Sequence, residues 1–331
     1  MNLHKRVNAI AQLGSKLDQM PSSVKEQAQI KNQWFTLENI NYCCSQWTKA
    51  LDINEVNRWA KDLLEPQTVR SIGIIMAGNI PMVGLHDLLA VLVSGHRAIV
   101  KRSSKDQVLM DYVIDSLKVI EPQFESRIEV VERVKGVDAV IATGSNNSAR
   151  YFDYYFSDIP NIIRKNRTSV AVITGEETEA ELKALADDVF LYFGLGCRNV
   201  TKLLLTDTAE ITTVLDAFAH YAHAIDHNKY ANNYTYHKAI FLMNLTEHLD
   251  TGYLLVKEDD KLHSPLATVF YQRFKSINEI TEHIAQNEQD IQTVVGNQTC
   301  CKTDFGSSQE TYLTDYADNV NTLNFLSKLT Y

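Results

Sequence analysis

The sequence is short of cysteine, and the cysteines it has form no pattern that builds a disulfide framework or a zinc site. There are five, at Cys43-Cys44, Cys197 and Cys300-Cys301. The count is odd and no two of them are spaced as C-x-x-C, which disfavours structural disulfides and a cysteine-based metal centre. We therefore expect no bound metal.

The chain also lacks a basic excess and a long apolar run. It has 32 Lys and Arg against 41 Asp and Glu, a net charge of -9, which disfavours nucleic acid and an anionic membrane surface as partners. The densest apolar run, residues 88–93, is far too short for a membrane span. Residues 1–6 are charged but no apolar core follows them, as a signal peptide would require. We expect a cytoplasmic protein without membrane insertion.

The glycine-rich fingerprint G-x-G-x-x-G is missing as well. The nearest match, Gly194-x-Gly196, follows a helical pattern instead of a strand, so it does not predict a dinucleotide-binding turn. The sequence contains no internal repeat, no low-complexity tract and no long linker. Any boundary between domains must then be a tight hinge, which we place near residues 165–170.

What the sequence does contain, from Ser71 onward, is an alternation of strand-like and helical patterns. The strand-like runs are Ser71–Met76, Arg97–Lys101, Ile128–Val131, Asp138–Thr143, Ser169–Ile173, Val200–Leu205, Ala239–Leu242, Gly252–Val256 and Ala267–Tyr271. The helical patterns between them are Val83–Val93, Lys105–Ile120, about 147–156, Glu181–Phe193 and Ala209–His223. This alternation predicts an α/β fold with parallel strands and crossover helices. Residues 1–66 are polar with helical spacing and predict a helical N-terminal segment.

Polar residues follow three of the predicted strands. Ala77–Pro81 includes Asn79, Lys101–Ser104 carries two cations and two hydroxyls, and Thr143–Ser145 opens a helix. Ligands of open α/β sheets gather at the carboxyl ends of the strands. Taken singly, each segment also has an ordinary structural explanation, as a turn, a solvated strand end or a helix cap.

Cys197 lies between a helical pattern and a strand, behind Gly194 and Gly196. Glycine can adopt positive φ without steric strain, so the pair indicates a tight turn that presents the thiol. An inert core thiol remains an alternative. His220, His223 and His227, at i, i+3 and i+7, lie nearby in sequence, but we expect no zinc site from them. One of them could act as a base for Cys197 in a hydrolase.

The strand-end segments and Gly196-Cys197 occur in the order found in the aldehyde dehydrogenase superfamily. The chain most resembles the acyl-CoA reductases of that superfamily, similar to the LuxC-type fatty-acid reductase of bacterial bioluminescence. The resemblance runs from about Val69 to residues 315–318 and implies an aldehyde dehydrogenase-like fold with two Rossmann-like domains. Residues 67–168 would bind a nicotinamide nucleotide, residues 169–305 would carry Cys197, and residues 306–331 would return to the first domain.

The resemblance also implies roles for single residues. Cys197 matches the nucleophile that carries the acyl group, and Asn79 matches the donor to the oxyanion. The residues that match the cofactor site are Lys101, Ser103 and Ser104 near the adenosine ribose, and Gly144 and Ser145 near the pyrophosphate. NADPH is favoured over NADH, because Lys101 and Arg102 would suit a 2′-phosphate.

Two segments depart from the family pattern. The stretch Ile162–Asn166 has no carboxylate where aldehyde-oxidising members have the glutamate that activates water. The segment that holds the nicotinamide ribose is altered, as Lys261–Pro265. The first change favours release to a thiol, so the resemblance implies reduction of a fatty acyl thioester of CoA or acyl carrier protein to the aldehyde. A homo-oligomer is compatible with it.

Two other functions remain open from the sequence. A cysteine–histidine thioesterase or acyltransferase would use Cys197 and need no nicotinamide. A catalytically inactive member of the same fold would bind the nucleotide without forming an acyl-enzyme.

Overall fold

The computed structural model describes residues 1–329. The chain forms two compact units: residues 1–166 together with the chain from Thr311 onward make the first, and Arg167–Glu310 makes the second. No helix in the described residues is both long and apolar enough to cross a membrane.

The N-terminal segment consists of four helices that belong to the first unit. They are α1 (Leu3–Asp18), α2 (Ser22–Lys31), α3 (Leu37–Ala50) and α4 (Ile53–Ala60). Asn2 caps α1 by accepting a hydrogen bond from the Lys5 N–H, which satisfies an N–H that a helix start leaves unpaired. Ile10, Leu13 and Leu17 are fully buried on one face of α1. This apolar face holds the segment on the rest of the unit.

The first sheet follows. Its elements are β1 (Ser71–Ile75), α5 (Leu85–Val93), β2 (Arg97–Lys101), α6 (Gln107–Ile120), a short 3₁₀ helix (Pro122–Ser126), β3 (Ile128–Val130), β4 (Ala139–Thr143), α7 (Asn146–Tyr155) and β5 (Asn161–Arg164). The strand order is β3-β2-β1-β4-β5 and every pairing is parallel. Successive strands therefore run outward on one side of β1 and then, from β4, on the other. Helix α1 packs against α3, α5 and α6.

The second unit contains a second sheet. Its elements are β6 (Thr168–Ile173), α8 (Glu179–Phe190), β7 (Val200–Thr206), α9 (Ile211–Ala217), α10 (Asn228–Met243), β8 (Leu249–Asp250), β9 (Leu255–Glu258), β10 (Thr268–Phe274), α11 (Ile277–Gln286) and β11 (Ile291–Val295). Short 3₁₀ helices span Leu191–Gly194 and Phe218–Asp226. The strand order is β11-β6-β7-β10-β9-β8, and β8 alone pairs antiparallel. The first sheet is therefore parallel throughout and the second is parallel except at β8, in an α/β arrangement as the alternation predicts.

The C-terminal segment packs in the first unit. It contains a 3₁₀ turn (Ala317–Asn319) and α12 (Thr322–Lys328). The indole N–H of Trp59 donates to Tyr316 Oη over 2.9 Å. Arg164, at the end of β5, forms a buried ion pair with Asp87 and donates to Thr322 Oγ1 over 3.0 Å. These contacts hold residues far apart in sequence against the first sheet.

One predicted strand is wrong. Ala239–Leu242 lies inside α10, a helix of 16 residues. His227 caps this helix by accepting from the Tyr230 N–H, and Tyr230, Tyr234 and Phe241 bury one side of it. The N-cap and the burial of these side chains therefore outweigh the strand propensity of four residues. The helix predicted over Ala209–His223 also ends early, at Ala217, and continues as a 3₁₀ helix.

Candidate active site

The predicted cofactor residues follow strands that are neighbours at one edge of the first sheet. Ile75, the last residue of β1, pairs with Lys101 at the end of β2 and with Ala142 near the end of β4. The residues at this carboxyl edge, or just after it in the chain, include Asn79, Lys101, Ser103, Ser104, Gly144 and Ser145. The strand order reverses between β1 and β4, and such a reversal is where open α/β sheets bind ligands.

The Asn79 turn is fixed from several sides. A Cβ on Gly78 would lie 2.5 Å from Ser103 Oγ, so glycine alone lets the chain after β1 approach the chain after β2 this closely. The Cys43 thiol donates to the carbonyl of Pro81 over 3.2 Å. The Met82 N–H donates to Asp106 Oδ2 over 2.8 Å, and burial raises the pKa of Asp106 well above its usual range. Asn79 itself is half-buried.

A groove of about 890 Å³ lies beside this edge. Its apolar wall includes Phe152 of α7 and Phe156, which directly follows α7, and Lys101, Arg133 and Lys135 contribute three cations. None of these three side chains forms an ion pair with a described residue. An apolar slot with cations at its wall suits an aromatic base joined to phosphates, so the residues present fit the adenosine end of a nicotinamide cofactor.

The sequence prediction did not include Arg133, Lys135 or the two phenylalanines. The basic residues lie in the connection between β3 and β4, and the phenylalanines lie in α7 and directly after it. The available signal was a pair of cations just before Gly136, after a strand, but nothing local connects them with Lys101.

The structure changes the expectation for two side chains. Arg102, predicted beside Lys101 as a partner for a 2′-phosphate, forms an ion pair with Asp111 of α6. Ser145 caps α7, accepting from the Ser148 N–H over 3.3 Å, as the structural explanation of that segment predicts. Ser103 is half-buried and Ser104 is exposed.

Cys197 lies in the turn between the 3₁₀ helix Leu191–Gly194 and β7, and it is half-buried. The Ser169 hydroxyl of β6 donates to the Cys197 carbonyl over 3.0 Å, and the Gly196 N–H donates to Asn199 Oδ1 over 2.8 Å. The turn is thereby tied to the amino ends of two neighbouring parallel strands. This is the opposite kind of edge from the one at which Asn79 lies.

In the bend before Cys197, residues other than glycine also adopt positive φ. Tyr192 and Phe193 have φ of 54° and 57°, and Gly194 has φ of 76°. Of the two glycines that the sequence offers, only Gly194 has a positive φ. Non-glycine residues in this region are strained by about 1–3 kcal/mol each, and such strain is typical of functional sites.

Asn199 connects the bend to α8, and the sequence prediction missed it. Its side chain is fully buried, and Nδ2 donates to the carbonyls of Leu191, over 2.8 Å, and Asp188, over 3.1 Å. The Asp188 carboxylate accepts from the N–H groups of Gly306 and Ser308, and burial raises its pKa to about 6. Buried polar side chains with all these partners fix the backbone that carries Cys197.

The altered segment Lys261–Pro265 is anchored to β7. Thr201 Oγ1 donates to the carbonyl of Leu262 over 3.0 Å. Lys202, fully buried, donates through Nζ to the Asp260 carbonyl over 2.9 Å and to Gln272 Oε1 over 2.6 Å. Burial lowers the pKa of Lys202 to about 8. The strand that follows Cys197 therefore holds this segment.

The three histidines have local structural contacts. Nδ1 of His220 and Nδ1 of His223 each lie 3.0 Å from the backbone carbonyl three residues earlier. His227 caps α10, and its ring centroid is 4.4 Å from that of Phe193. Among residues 1–329, no group of three or more His, Cys, Asp or Glu side chains is placed to hold a metal ion.

Solved structures similar to this chain are aldehyde dehydrogenases. Aldehyde dehydrogenase 21 of Physcomitrella patens, in complex with succinate, has a TM-score of 0.74 at 8% identity, covering 100% of this chain and 85% of that one. An NAD-dependent benzaldehyde dehydrogenase of Corynebacterium glutamicum has a TM-score of 0.69 at 10% identity, with 89% and 76% covered. The NAD⁺ complex of an aldehyde dehydrogenase of Bacillus cereus has a TM-score of 0.67 at 14% identity, with 89% and 72% covered. These similarities confirm the aldehyde dehydrogenase-like fold.

No curated protein matches the chain in sequence. The family model described as acyl-CoA reductase (LuxC) matches residues 58–235, more than half of the chain. This range includes the carboxyl edge of the first sheet, the Cys197 turn and its anchor Asn199. The chain thus belongs to the acyl-CoA reductase (LuxC) family.

Proposed function

We propose that this protein reduces an acyl thioester to the aldehyde with NADPH, through an acyl-enzyme on Cys197. The family match over residues 58–235 carries this proposal, because it includes both Cys197 and the edge of the first sheet. Residues 67–168 would form the cofactor domain, and residues 169–305 the catalytic domain. Acyl carrier protein as the carrier and a homo-oligomer stay predictions.

Cys197 is the group that forms the covalent bond. Its thiolate attacks the thioester carbonyl, the S–acyl bond forms, and the CoA thiolate leaves and takes up a proton. Asn79 donates a hydrogen bond to the oxyanion of the tetrahedral intermediate. A nicotinamide cofactor, held by Lys101 and the other residues at the carboxyl edge of the first sheet, would supply a hydride to the acyl carbon. The resulting thiohemiacetal, in its anionic form, then releases the aldehyde and returns Cys197 to the thiolate.

The groove beside Lys101 supports the choice of cofactor. Its apolar wall would take the adenine, with Lys101 near the ribose. Arg133 and Lys135 would replace Arg102 as partners of a 2′-phosphate, because Arg102 is paired with Asp111 while they are not paired with a carboxylate. Gly144 and Ser145, at the start of α7, would lie near the pyrophosphate, where helix N–H groups favour an anion.

The experiment that tests the function follows nicotinamide absorbance with a panel of acyl-CoA thioesters. We expect oxidation of the cofactor with formation of one aldehyde per cofactor, and loss of this activity in Cys197→Ala. Release of CoA without cofactor would instead indicate the thioesterase. Nucleotide binding with no turnover of any thioester would indicate an inactive member.

The cofactor assignment predicts a change in selectivity. Arg133→Gln and Lys135→Gln should each raise KM for NADPH about 3- to 30-fold, with little change for NADH, because each removes a charge-assisted hydrogen bond to the 2′-phosphate. Arg102→Gln is the matched control and should leave the ratio unchanged. Equal losses for NADPH and NADH would place these cations away from the 2′-phosphate.

A further inference from the structure

Asp106 is a buried carboxyl group that directly precedes α6 in the first unit. It is 2% exposed, and it stands at the position where an aspartate ordinarily caps a helix. Its side chain makes no capping hydrogen bond to α6. Oδ2 instead accepts from the Met82 N–H over 2.8 Å, 24 residues earlier in the chain. The carboxyl group therefore serves the turn that follows β1, and not its own helix.

The environment of Asp106 is unfavourable for a carboxyl group. Oδ1 is buried and has no hydrogen-bond partner among the residues that the structure describes. Buried polar atoms are nearly always paired, and burying an unpaired one costs free energy. Burial also raises the pKa of Asp106 well above its ordinary value, which favours the neutral acid. Stability alone does not explain a carboxyl group here, so we looked for its role in the turn that it binds.

Met82 has a backbone conformation that needs support from its neighbours. Its φ is 52°, a region that side chains other than glycine avoid unless the surrounding structure enforces it. The residue is fully buried, and its carbonyl accepts from the Leu85 N–H over 3.0 Å at the start of α5. The hydrogen bond to Asp106 holds the other side of the same residue. Together these two bonds fix Met82 in its strained conformation.

The turn that ends at Asp106 contacts the chain on both sides of Asn79. Before Asn79, a Cβ on Gly78 would lie 2.5 Å from Ser103 Oγ. After Asn79, the Met82 N–H binds the Asp106 carboxyl group. The Asp106 N–H donates to the Ser103 carbonyl over 3.1 Å, so both contacts belong to one turn. The turn after β2 therefore determines where the turn after β1 lies.

Pro81 transmits the position of Met82 to Asn79. Its ring restricts its own φ, and a proline also restricts the backbone of the residue before it, here Ile80. The Pro81 carbonyl accepts from the buried Cys43 thiol over 3.2 Å. Few backbone dihedral angles between Met82 and Asn79 are then free to change, so a displacement of Met82 also displaces Asn79.

Building on the proposed function, we propose that Asp106 is the positioning residue for the oxyanion donor Asn79. Asp106 does not touch the substrate. Its hydrogen bond to Met82 sets the turn from which the Asn79 amide donates to the tetrahedral intermediate. An oxyanion donor acts mainly in the transition state, so its displacement lowers kcat more than it raises KM.

The test is a double-mutant cycle between Asp106→Leu and Asn79→Ala in the full chain, with NADPH and the fatty acyl-CoA that the wild type turns over fastest. Leucine is close in size to aspartate and removes the acceptor. Asp106→Leu should lower kcat about 10- to 100-fold and change KM less than about threefold, because loss of a whole oxyanion donor costs about 10²–10³-fold in kcat. In the Asn79→Ala background the same change should lower kcat less than about threefold, since the donor is already absent.

Asp106→Asn tests the part played by the acceptor. Its amide oxygen can accept from the Met82 N–H, so this variant should lose less than about fivefold in kcat, the effect of an altered neutral hydrogen bond. Asp115→Leu, at an exposed position of α6, is the matched control and should keep the kcat of the wild type. If Asp106→Leu does not fold, Asp106→Ala takes its place in the cycle.

Three results would overturn the positioning role and leave the Cys197-dependent reductase standing. They are a wild-type kcat in Asp106→Leu, an equal fold-loss with and without the Asn79 side chain, and a loss in Asp106→Asn as large as in Asp106→Leu. An Asn79→Ala enzyme with full kcat would overturn the oxyanion donor and this proposal with it. No oxidation of the cofactor by the wild type with any acyl-CoA would overturn the proposed function itself.

Discussion

Lys202 is a buried lysine that joins two parts of the proposed catalytic domain. It lies on β7, five residues after Cys197, and its ammonium group binds the Asp260 carbonyl and Gln272 Oε1. Removing a charged group from water disfavours its charged form, which explains the lowered pKa. The hydrogen bonds offset part of that penalty and hold the segment before Lys261.

This residue predicts a dependence of stability on pH. The pKa of Lys202 is about 8 in the folded chain, against 10.5 as the ordinary value. Between these pH values the unfolded chain binds the proton and the folded chain does not, so the free energy of unfolding rises with pH. Urea unfolding at pH 7.5, 9 and 10 should show a rise on the order of 1–3 kcal/mol from this group.

Lys202→Met should remove the rise, whereas Lys257→Met, the matched control on β9, should keep it. Lys257 lies closer to the surface and is paired with Asp259. Parallel curves for the wild type and Lys202→Met would show that Lys202 titrates normally.

At the level of elements, the ends of β1 and β2 determine where Asn79 lies. A methyl group on the Cα of Gly78 would overlap Ser103, so the Ser103 side chain would have to move. Gly78→Ala should therefore lower the free energy of unfolding by about 1–3 kcal/mol and also lower kcat, because the Asn79 turn has to shift.

Adding Ser103→Gly to Gly78→Ala should restore most of that stability, which thermal and urea unfolding would measure. Gly136→Ala is the control, since a Cβ there meets no atom within 4 Å and only its φ of 62° opposes the change. Ser103→Gly should not rescue Gly136→Ala. If the double variant is no better than Gly78→Ala, the contact with Ser103 is not what requires glycine.

The elements also show what the sequence can predict. Strands such as Ser71–Ile75 and Arg97–Lys101 are found almost to the residue, because buried parallel strands are continuous β-branched runs between turns. Ala239–Leu242 was misassigned because four residues carry too little periodicity to distinguish a strand from a buried helix. The 3₁₀ helix after Ala217 has no sequence pattern that distinguishes it from a continued α-helix.

The residues of the candidate site also differ in whether the sequence alone could predict them. Asn79, Lys101 and Cys197 could be proposed from sequence, because each follows or precedes a strand and has a recognisable residue type. Arg133 and Asn199 could not, because their importance depends on tertiary contacts. Arg133 lines a groove with residues of three other segments, and Asn199 binds carbonyls 8 and 11 residues earlier in a bend. The strain at Tyr192 and Phe193 is equally invisible in a sequence that offers Gly194 and Gly196.

At the scale of the whole molecule, the chain contains two sheets of mainly parallel strands, and the proposed functional residues lie at opposite kinds of strand end in the two sheets. The carboxyl edge of the first sheet carries the proposed cofactor residues, and the amino edge of the second carries Cys197. The family match and the similar folds together identify the kind of enzyme. The central claim is that Cys197 carries the acyl group between thioester cleavage and reduction.

The most direct measurement is the intact mass of the protein after mixing with an acyl-CoA in the absence of cofactor, followed by addition of NADPH. The account predicts one acyl group on Cys197 and one equivalent of CoA released. NADPH should then return the protein to its original mass and release one equivalent of aldehyde, and Cys197→Ala should show neither step. Aldehyde formed by Cys197→Ala, an acyl group on another residue, or an adduct that NADPH does not discharge would contradict the account.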